Sequence, residues 1–131
     1  MSRENFDALI LVQDIMSKAI ISVNTETTVF QIAKMMEQSG IGAILVKKNN
    51  NLVGIITDRD FATKIASNSL SFDTSVEKVM SSPLITINHN ESISAAAKRM
   101  TSKKIRKLAV TDNGDIVGLI TSTDLVTQLT K

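Results

Sequence analysis

Slid along itself by 64 residues, the spacing between Met16 and Met80, the chain lies over itself without a gap, residues 12–62 on residues 76–126. Val12 falls on Val76, Ser17 on Ser81, Ile21 on Ile85, Asn24 on Asn88, Ala33 on Ala97, Met36 on Met100 and Val46 on Val110. The match is densest where Val53-Gly54-Ile55-Ile56-Thr57-Asp58-Arg59-Asp60 meets Val117-Gly118-Leu119-Ile120-Thr121-Ser122-Thr123-Asp124. A chain of 131 residues made of two such copies has little freedom of fold. Each copy is too small to cover both faces of its own sheet, so the two are expected to pack together about a pseudo-two-fold axis and to leave a shared groove.

Each copy carries the same run of local signals. A short β-branched segment at residues 20–23, repeated at 84–87, predicts a first strand. Thr27-Thr28 then precedes apolar Val29, Ile32, Ala33 and Met36, with Gly40 as a stop: a capped amphipathic helix. The second copy repeats it with Ser92 before Ile93, Ala96, Ala97 and Met100. Two further apolar runs flank Asn49-Asn50-Asn51 in one copy and Asp112-Asn113-Gly114-Asp115 in the other, which predicts an antiparallel hairpin. Helical spacing returns at Phe61 and Ile65, and at Leu125 and Leu129. The unit reads β-α-β-β-α, a mixed α/β (α+β) class. Residues 1–66 form the first repeat with its N-terminal segment, 67–75 a polar linker and 76–131 the second repeat.

Composition removes several functions. With no Cys there are no disulfides, thiolate nucleophiles or zinc-thiolate sites, and a single His cannot build a multi-histidine metal site. The absence of Trp and Tyr, with four Phe, leaves few platforms for stacking single-stranded nucleic acid. No apolar run approaches the roughly 18 residues of a membrane span, and the acid-interrupted start does not read as a signal peptide. The expectation is a cytoplasmic protein with no membrane partner.

The shared pattern is Gly-x-x-Thr-x-x-Asp, at 54–60 and 118–124, where a strand gives way to a helix. It has two physical readings. Thr57 and Thr121 can be N-caps, with Asp60 and Asp124 completing a capping box. Alternatively the helix start faces a phosphate while the carboxylate accepts from both hydroxyls of a ribose. Duplication does not separate the two, since a structural cap would be kept twice as well. Gly54 and Gly118 permit close approach of backbone or ligand, or mark a bulge.

Taken together, these residues closely resemble the CBS (cystathionine-β-synthase) domain family. Each copy has an apolar-Met-Ser start (Ile15-Met16-Ser17, Val79-Met80-Ser81), then strand, helix, hairpin and the Gly-x-x-Thr-x-x-Asp motif. Ile105-Arg106-Lys107-Leu108-Ala109-Val110 is similar to a further family segment, with Ala109 in place of a proline. The resemblance implies a disc-like tandem pair with two related clefts, binding AMP, ADP, ATP or another adenosyl compound, and often a homodimer. By position, Asp60 and Asp124 would hold ribose hydroxyls and Thr57 and Thr121 ribose or phosphate, with Arg59 and Ser122 beside them. Ile20, Ile21, Leu84 and Ile85 would flank the base. Because Asp58-Arg59 becomes Ser122-Thr123, the two clefts are not chemically equal.

Six of the ten residues 98–107 are basic: Lys98, Arg99, Lys103, Lys104, Arg106 and Lys107. Arg106 is the candidate for the ligand's phosphates, against a merely solvated helix end; a nucleic-acid patch is the weaker alternative, given a net charge of +2. His89, in the turn Asn88-His89-Asn90, reads as an exposed imidazole without a role. The expected function is regulatory. The module would sense an adenine nucleotide without transforming it, use no catalytic cofactor and act through its homodimer or a protein partner. The alternative is a purely structural dimerisation module with empty clefts.

Overall fold

The computed structural model describes residues 10–130; the first nine, on which most of the leader reading rests, and Lys131 lie outside the described residues. The chain divides into two compact units: a central unit, Ile21–Leu84, and a terminal unit joining Met1–Ile20 to Ile85–Lys131. Each unit thus combines most of one repeat with the opening residues of the other.

Among the described residues a single turn, α1 (Val12–Ile15), comes first and belongs to the terminal unit. The central unit follows with β1 (Ser22–Asn24), α2 (Val29–Ser39), β2 (Ala43–Lys48), β3 (Asn51–Thr57) and the short α3 (Asp58–Asp60), which runs on as a π-helical stretch, Phe61–Ala66. The terminal unit resumes with β4 (Thr86–Asn88), α4 (Ile93–Lys103), β5 (Lys107–Asp112), β6 (Asp115–Thr121) and α5 (Ser122–Leu129). Each unit has one three-stranded sheet, ordered β1-β2-β3 or β4-β5-β6. The first pair is parallel, with Val23 opposite Val46 and Ile87 opposite Val110, so a helix must cross over between its strands; α2 and α4 do so.

The hairpins close as the turn residues dictate. Asn49 and Asn50 have φ of 52° and 66°, Asn113 and Gly114 of 51° and 85°. Two successive positive φ values suit the twist of a two-residue turn, and Asn and Gly tolerate them. Both hairpins shift register, between Val46 and Lys47 and between Val110 and Thr111, next to the positions paired with Gly54 and Gly118.

The helix starts leave no early amide unanswered at α2. Thr28 Oγ1 accepts from the Gln31 amide at 3.2 Å and Gln31 Oε1 from the Thr28 amide at 2.9 Å. The Val29 and Phe30 amides donate to the carbonyls of Thr74 and Phe72 at 2.9 and 3.1 Å, so residues of the polar segment 67–75 satisfy donors that the helix itself cannot. In the terminal unit Ser92 caps α4 through the Ala95 amide at 3.1 Å, and the Ile93 amide reaches the carbonyl of Ile10 at 3.0 Å. Ile10 stands to Ile93's helix as Thr74 stands to Val29's.

The core of the central unit is Val23, Val29, Ile32, Ile44, Val46, Ile56 and Ile65 with Val76 and Val79; that of the terminal unit is Ile87, Ala96, Met100, Leu108, Val110 and Ile120 with Val12. Val12 and Val76, equivalent by the 64-residue offset, are both fully buried, each in the unit built mainly from the other copy.

The first strand of each copy begins two residues later than the β-branched run predicts, at Ser22 and Thr86. The Ile21 and Ile85 carbonyls still accept from the Leu45 and Ala109 amides, at 2.9 and 3.1 Å, but the residues before them lie across the division between units, where the ladder has no continuation.

Candidate ligand-binding site

The repeated motif is built on a crossing of chains. Ser81 donates its amide to the Ile55 carbonyl at 2.8 Å and accepts from the Ile55 amide at 3.0 Å; Ser17 does the same with Leu119, at 2.8 and 2.9 Å. The Met-Ser start of each copy is therefore an added strand residue on the motif strand of the other. A Cβ on Gly54 would stand 2.6 Å from Met80 Sδ and 3.1 Å from the Ser81 carbonyl, and one on Gly118 would stand 2.6 Å from the Ser17 carbonyl. The motif glycines are accounted for by this approach of backbone and methionine.

Both motifs form caps. In the central unit the Thr57 amide and hydroxyl both donate to Asp60 Oδ2, at 2.8 and 3.2 Å. In the terminal unit the Thr121 amide donates to Asp124 Oδ2 at 2.9 Å, and the Asp124 amide donates back to Thr121 Oγ1 at 3.2 Å. The capping box read from the spacing is thus closed on both sides at Thr121 and Asp124, whereas at Thr57 and Asp60 only the carboxylate half forms and the threonine hydroxyl donates to it.

The other carboxylate oxygen separates the copies. Asp60 Oδ1 lies 3.3 Å from Lys64 Nζ and 3.4 Å from Ser81 Oγ, and the Asp60 side chain is 8% exposed. Lys64 Nζ also donates to the Val79 carbonyl at 3.0 Å and to Ser81 Oγ at 3.1 Å. Asp124 is half-buried, and its Oδ1 has no hydrogen-bond or ion-pair partner among the described residues. The position equivalent to Lys64 is Gln128. Lys64 was not among the residues singled out from sequence; its place four residues after Asp60 on a helix is the signal that could have found it.

The flanks differ in the same direction. The Ser122 amide donates to the Arg106 carbonyl at 2.8 Å, placing exposed Arg106 and Ser122 side by side. Their counterparts are Gly42 and Asp58, joined by the same bond at 3.1 Å, and a Cβ on Gly42 would lie 3.3 Å from Asp58 Oδ2. Exposed Arg59 donates its amide to Asp58 Oδ1 at 2.9 Å. Ile20, Ile21, Leu84 and Ile85 are all half-buried; Ile21 with Thr57, Arg59 and Asp60 lies in the central unit, as does Leu84, whereas Ile20 and Ile85 lie in the terminal unit with Thr121, Ser122, Asp124 and Arg106.

Not all of the basic run is free. Arg99 donates to Glu91 Oε1 and Oε2 at 3.1 and 3.2 Å and to the Thr86 carbonyl at 3.0 Å. With the Asn88 amide on Glu91 Oε2 at 2.9 Å, this holds the Glu91 carboxyl below the usual range. His89 is half-buried rather than exposed: Nε2 lies 3.3 Å from Asp112 Oδ1 and Nδ1 meets the Gln13 side-chain oxygen. It ties α1 to the second hairpin. Among the described residues no group of three His, Cys, Asp or Glu stands together to hold a metal ion, and no helix is long and apolar enough to cross a membrane.

The CBS-domain profile matches the chain twice, over residues 12–67 and 76–131. The chain belongs to the CBS-domain family. The CBS domain-containing protein YhcV of Bacillus subtilis is 33% identical over 114 residues, covering 87% of this chain and 81% of its own. The crystal structure of an uncharacterized conserved protein from Pyrococcus horikoshii superposes with a TM-score of 0.90 at 26% identity, over 95% of this CBS chain and 96% of its own. The CBS domain pair of protein MJ0100, solved in complex with 5′-methylthioadenosine and S-adenosyl-L-methionine, superposes with a TM-score of 0.81 at 29% identity, over 92% and 95%. Three other curated relatives extend further, the chain spanning 60%, 24% and 62% of their lengths. CBS pairs are regulatory modules, and the two mixed α+β units here have their fold.

Proposed function

We propose that this CBS pair binds an adenosine-type nucleotide at its Gly-x-x-Thr-x-x-Asp motifs and acts as a cytoplasmic sensor, without chemical turnover of the ligand. The observation that carries the reading is the likeness to the MJ0100 pair, which holds two adenosyl compounds. The geometry fits it: a carboxylate at a helix start, a threonine beside it, and in the terminal unit Arg106 brought beside Ser122 by the bond from the Ser122 amide to the Arg106 carbonyl. A carboxylate accepts from two hydroxyls of a diol and a guanidinium pairs with phosphate. Ligand binding biases the module by its different affinity for two arrangements of the protein, read out by a homodimer or a regulated protein partner.

The caps that both motifs form favour a second reading, a purely structural module in which Thr57, Asp60, Thr121 and Asp124 are caps alone. Thermal unfolding with AMP, ADP, ATP, NAD and S-adenosylmethionine separates the two. Selective stabilisation by one adenosyl compound, about 2.7 kcal/mol at a hundredfold excess over Kd, is expected for a sensor. A flat response to all five supports the structural reading.

A further inference from the structure

The two motifs are not equivalent sites. A carboxylate offers about four lone-pair positions. At Asp60 all four face donors: Thr57 amide and hydroxyl on Oδ2, Lys64 Nζ and Ser81 Oγ on Oδ1. The ammonium is itself anchored, paired with Asp60 Oδ1 at 3.3 Å and donating to the Val79 carbonyl and Ser81 Oγ. A diol reaching Asp60 would have to displace an ion pair held from three sides. At Asp124 one position is filled, by the Thr121 amide, and neutral Gln128 stands where Lys64 does in the other copy.

The neighbours of a phosphate follow suit. Beside Asp124's motif are the Arg106 cation and the Ser122 hydroxyl; the same two positions in the central unit carry Gly42, which brings no cation, and the Asp58 carboxylate, whose Oδ2 would lie 3.3 Å from a Cβ at 42. The first pair offers a phosphate a cation and a hydroxyl donor, whereas at the second the Arg59 cation is accompanied by the Asp58 carboxylate.

Resting on the nucleotide reading above, we infer that Lys64 is a built-in counter-ion that closes the Asp60 motif to ribose, so that a single nucleotide binds per chain, at Asp124. Lys64 is a specificity-determining residue: it sets the number of ligands bound rather than touching the one that binds.

Calorimetric titration with AMP, and separately with S-adenosylmethionine, tests this on the full chain. Wild type is expected to bind one molecule and Asp124→Ala to bind at least ~10-fold more weakly, the loss of a charge-assisted pair. Lys64→Gln, which copies the terminal unit, should bind two. Lys64→Met repeats that test without a hydrogen-bonding head group, and Lys64→Arg, which keeps the cation, should stay at one. Lys64→Gln combined with Asp124→Ala should recover one site. Two sites in wild type, one site in folded Lys64→Gln and Lys64→Met, or full affinity in Asp124→Ala would overturn the inference while leaving the sensor reading in place. Failure of both ligands to bind wild type and every Lys64 variant would overturn the sensor reading, and this inference with it.

Discussion

Glu91, in the turn before α4, pairs with Arg99 of the basic run, and their pairing has a pH signature. The Arg99 guanidinium donates to both carboxylate oxygens and the Asn88 amide adds a third bond, which holds Glu91 below its ordinary value despite some opposing burial. A carboxyl lowered on folding adds stability above its unfolded value of about 4.3 and loses it as pH falls through the folded value. Urea midpoints of wild type should therefore drop as pH falls below about 5, and Glu91→Gln should flatten that drop. At pH 7 the variant should lose less than about 1 kcal/mol, since the pair is partly exposed. The motif glycines make a second comparison at this scale. Gly118→Ala drives a Cβ against a backbone carbonyl, Gly54→Ala chiefly against the movable Met80 thioether. Urea denaturation should show both destabilised, Gly118→Ala by about 2 kcal/mol or more and Gly54→Ala by less. From sequence these glycines were ambiguous, because nothing in a strand glycine says which piece of chain comes close to it.

Among the elements, those with local chemistry were legible: Thr28 and Ser92 as caps, Gly40 as a stop, the asparagine-rich turns as hairpins. Their signals act over a few residues, so the sequence carries them directly. The end of α4 was less so. Lys104 takes the left-handed position there with φ 57°, where its counterpart Gly40 has φ 65°. A lysine in that conformation has a Cβ that crowds the backbone, which glycine avoids. Lys104→Gly should accordingly raise stability by about 0.5–1 kcal/mol, and Gly40→Ala should lower it by about 1 kcal/mol, both read from urea midpoints. The π-helical stretch Phe61–Ala66 against the regular α5 was invisible, since both copies show the same apolar spacing. So was the role of Lys64, because pattern and family resemblance pointed to the aspartates and not to what holds them.

For the whole molecule, the offset of 64 gives the two copies but not which residues fold with which. Val12 and Val76 match in sequence, yet each fills the core of the unit that carries the other copy's sheet; a repeat comparison treats them as the beginning of their own copies because adjacency in the chain is all it sees. Fragments make the distinction measurable. Residues 21–84 expressed alone should unfold cooperatively by circular dichroism, whereas residues 12–67 should not, lacking Val76, Val79 and the Ser81 pairing to Ile55. Val12→Ala should weaken the terminal unit by roughly 1–3 kcal/mol, as expected for emptying a closed core position.

The lent opening segment also makes the protein separable in an unusual place. A chain starting at Ile21 would keep the central unit whole and leave an empty seat along β6 and the α4 start. A synthetic peptide of residues 10–20, added back unlinked, carries the buried valine, the Ile10 carbonyl and the Ser17 backbone that the seat requires. Reassembly of the two pieces in solution would turn a covalent repeat into a titratable one.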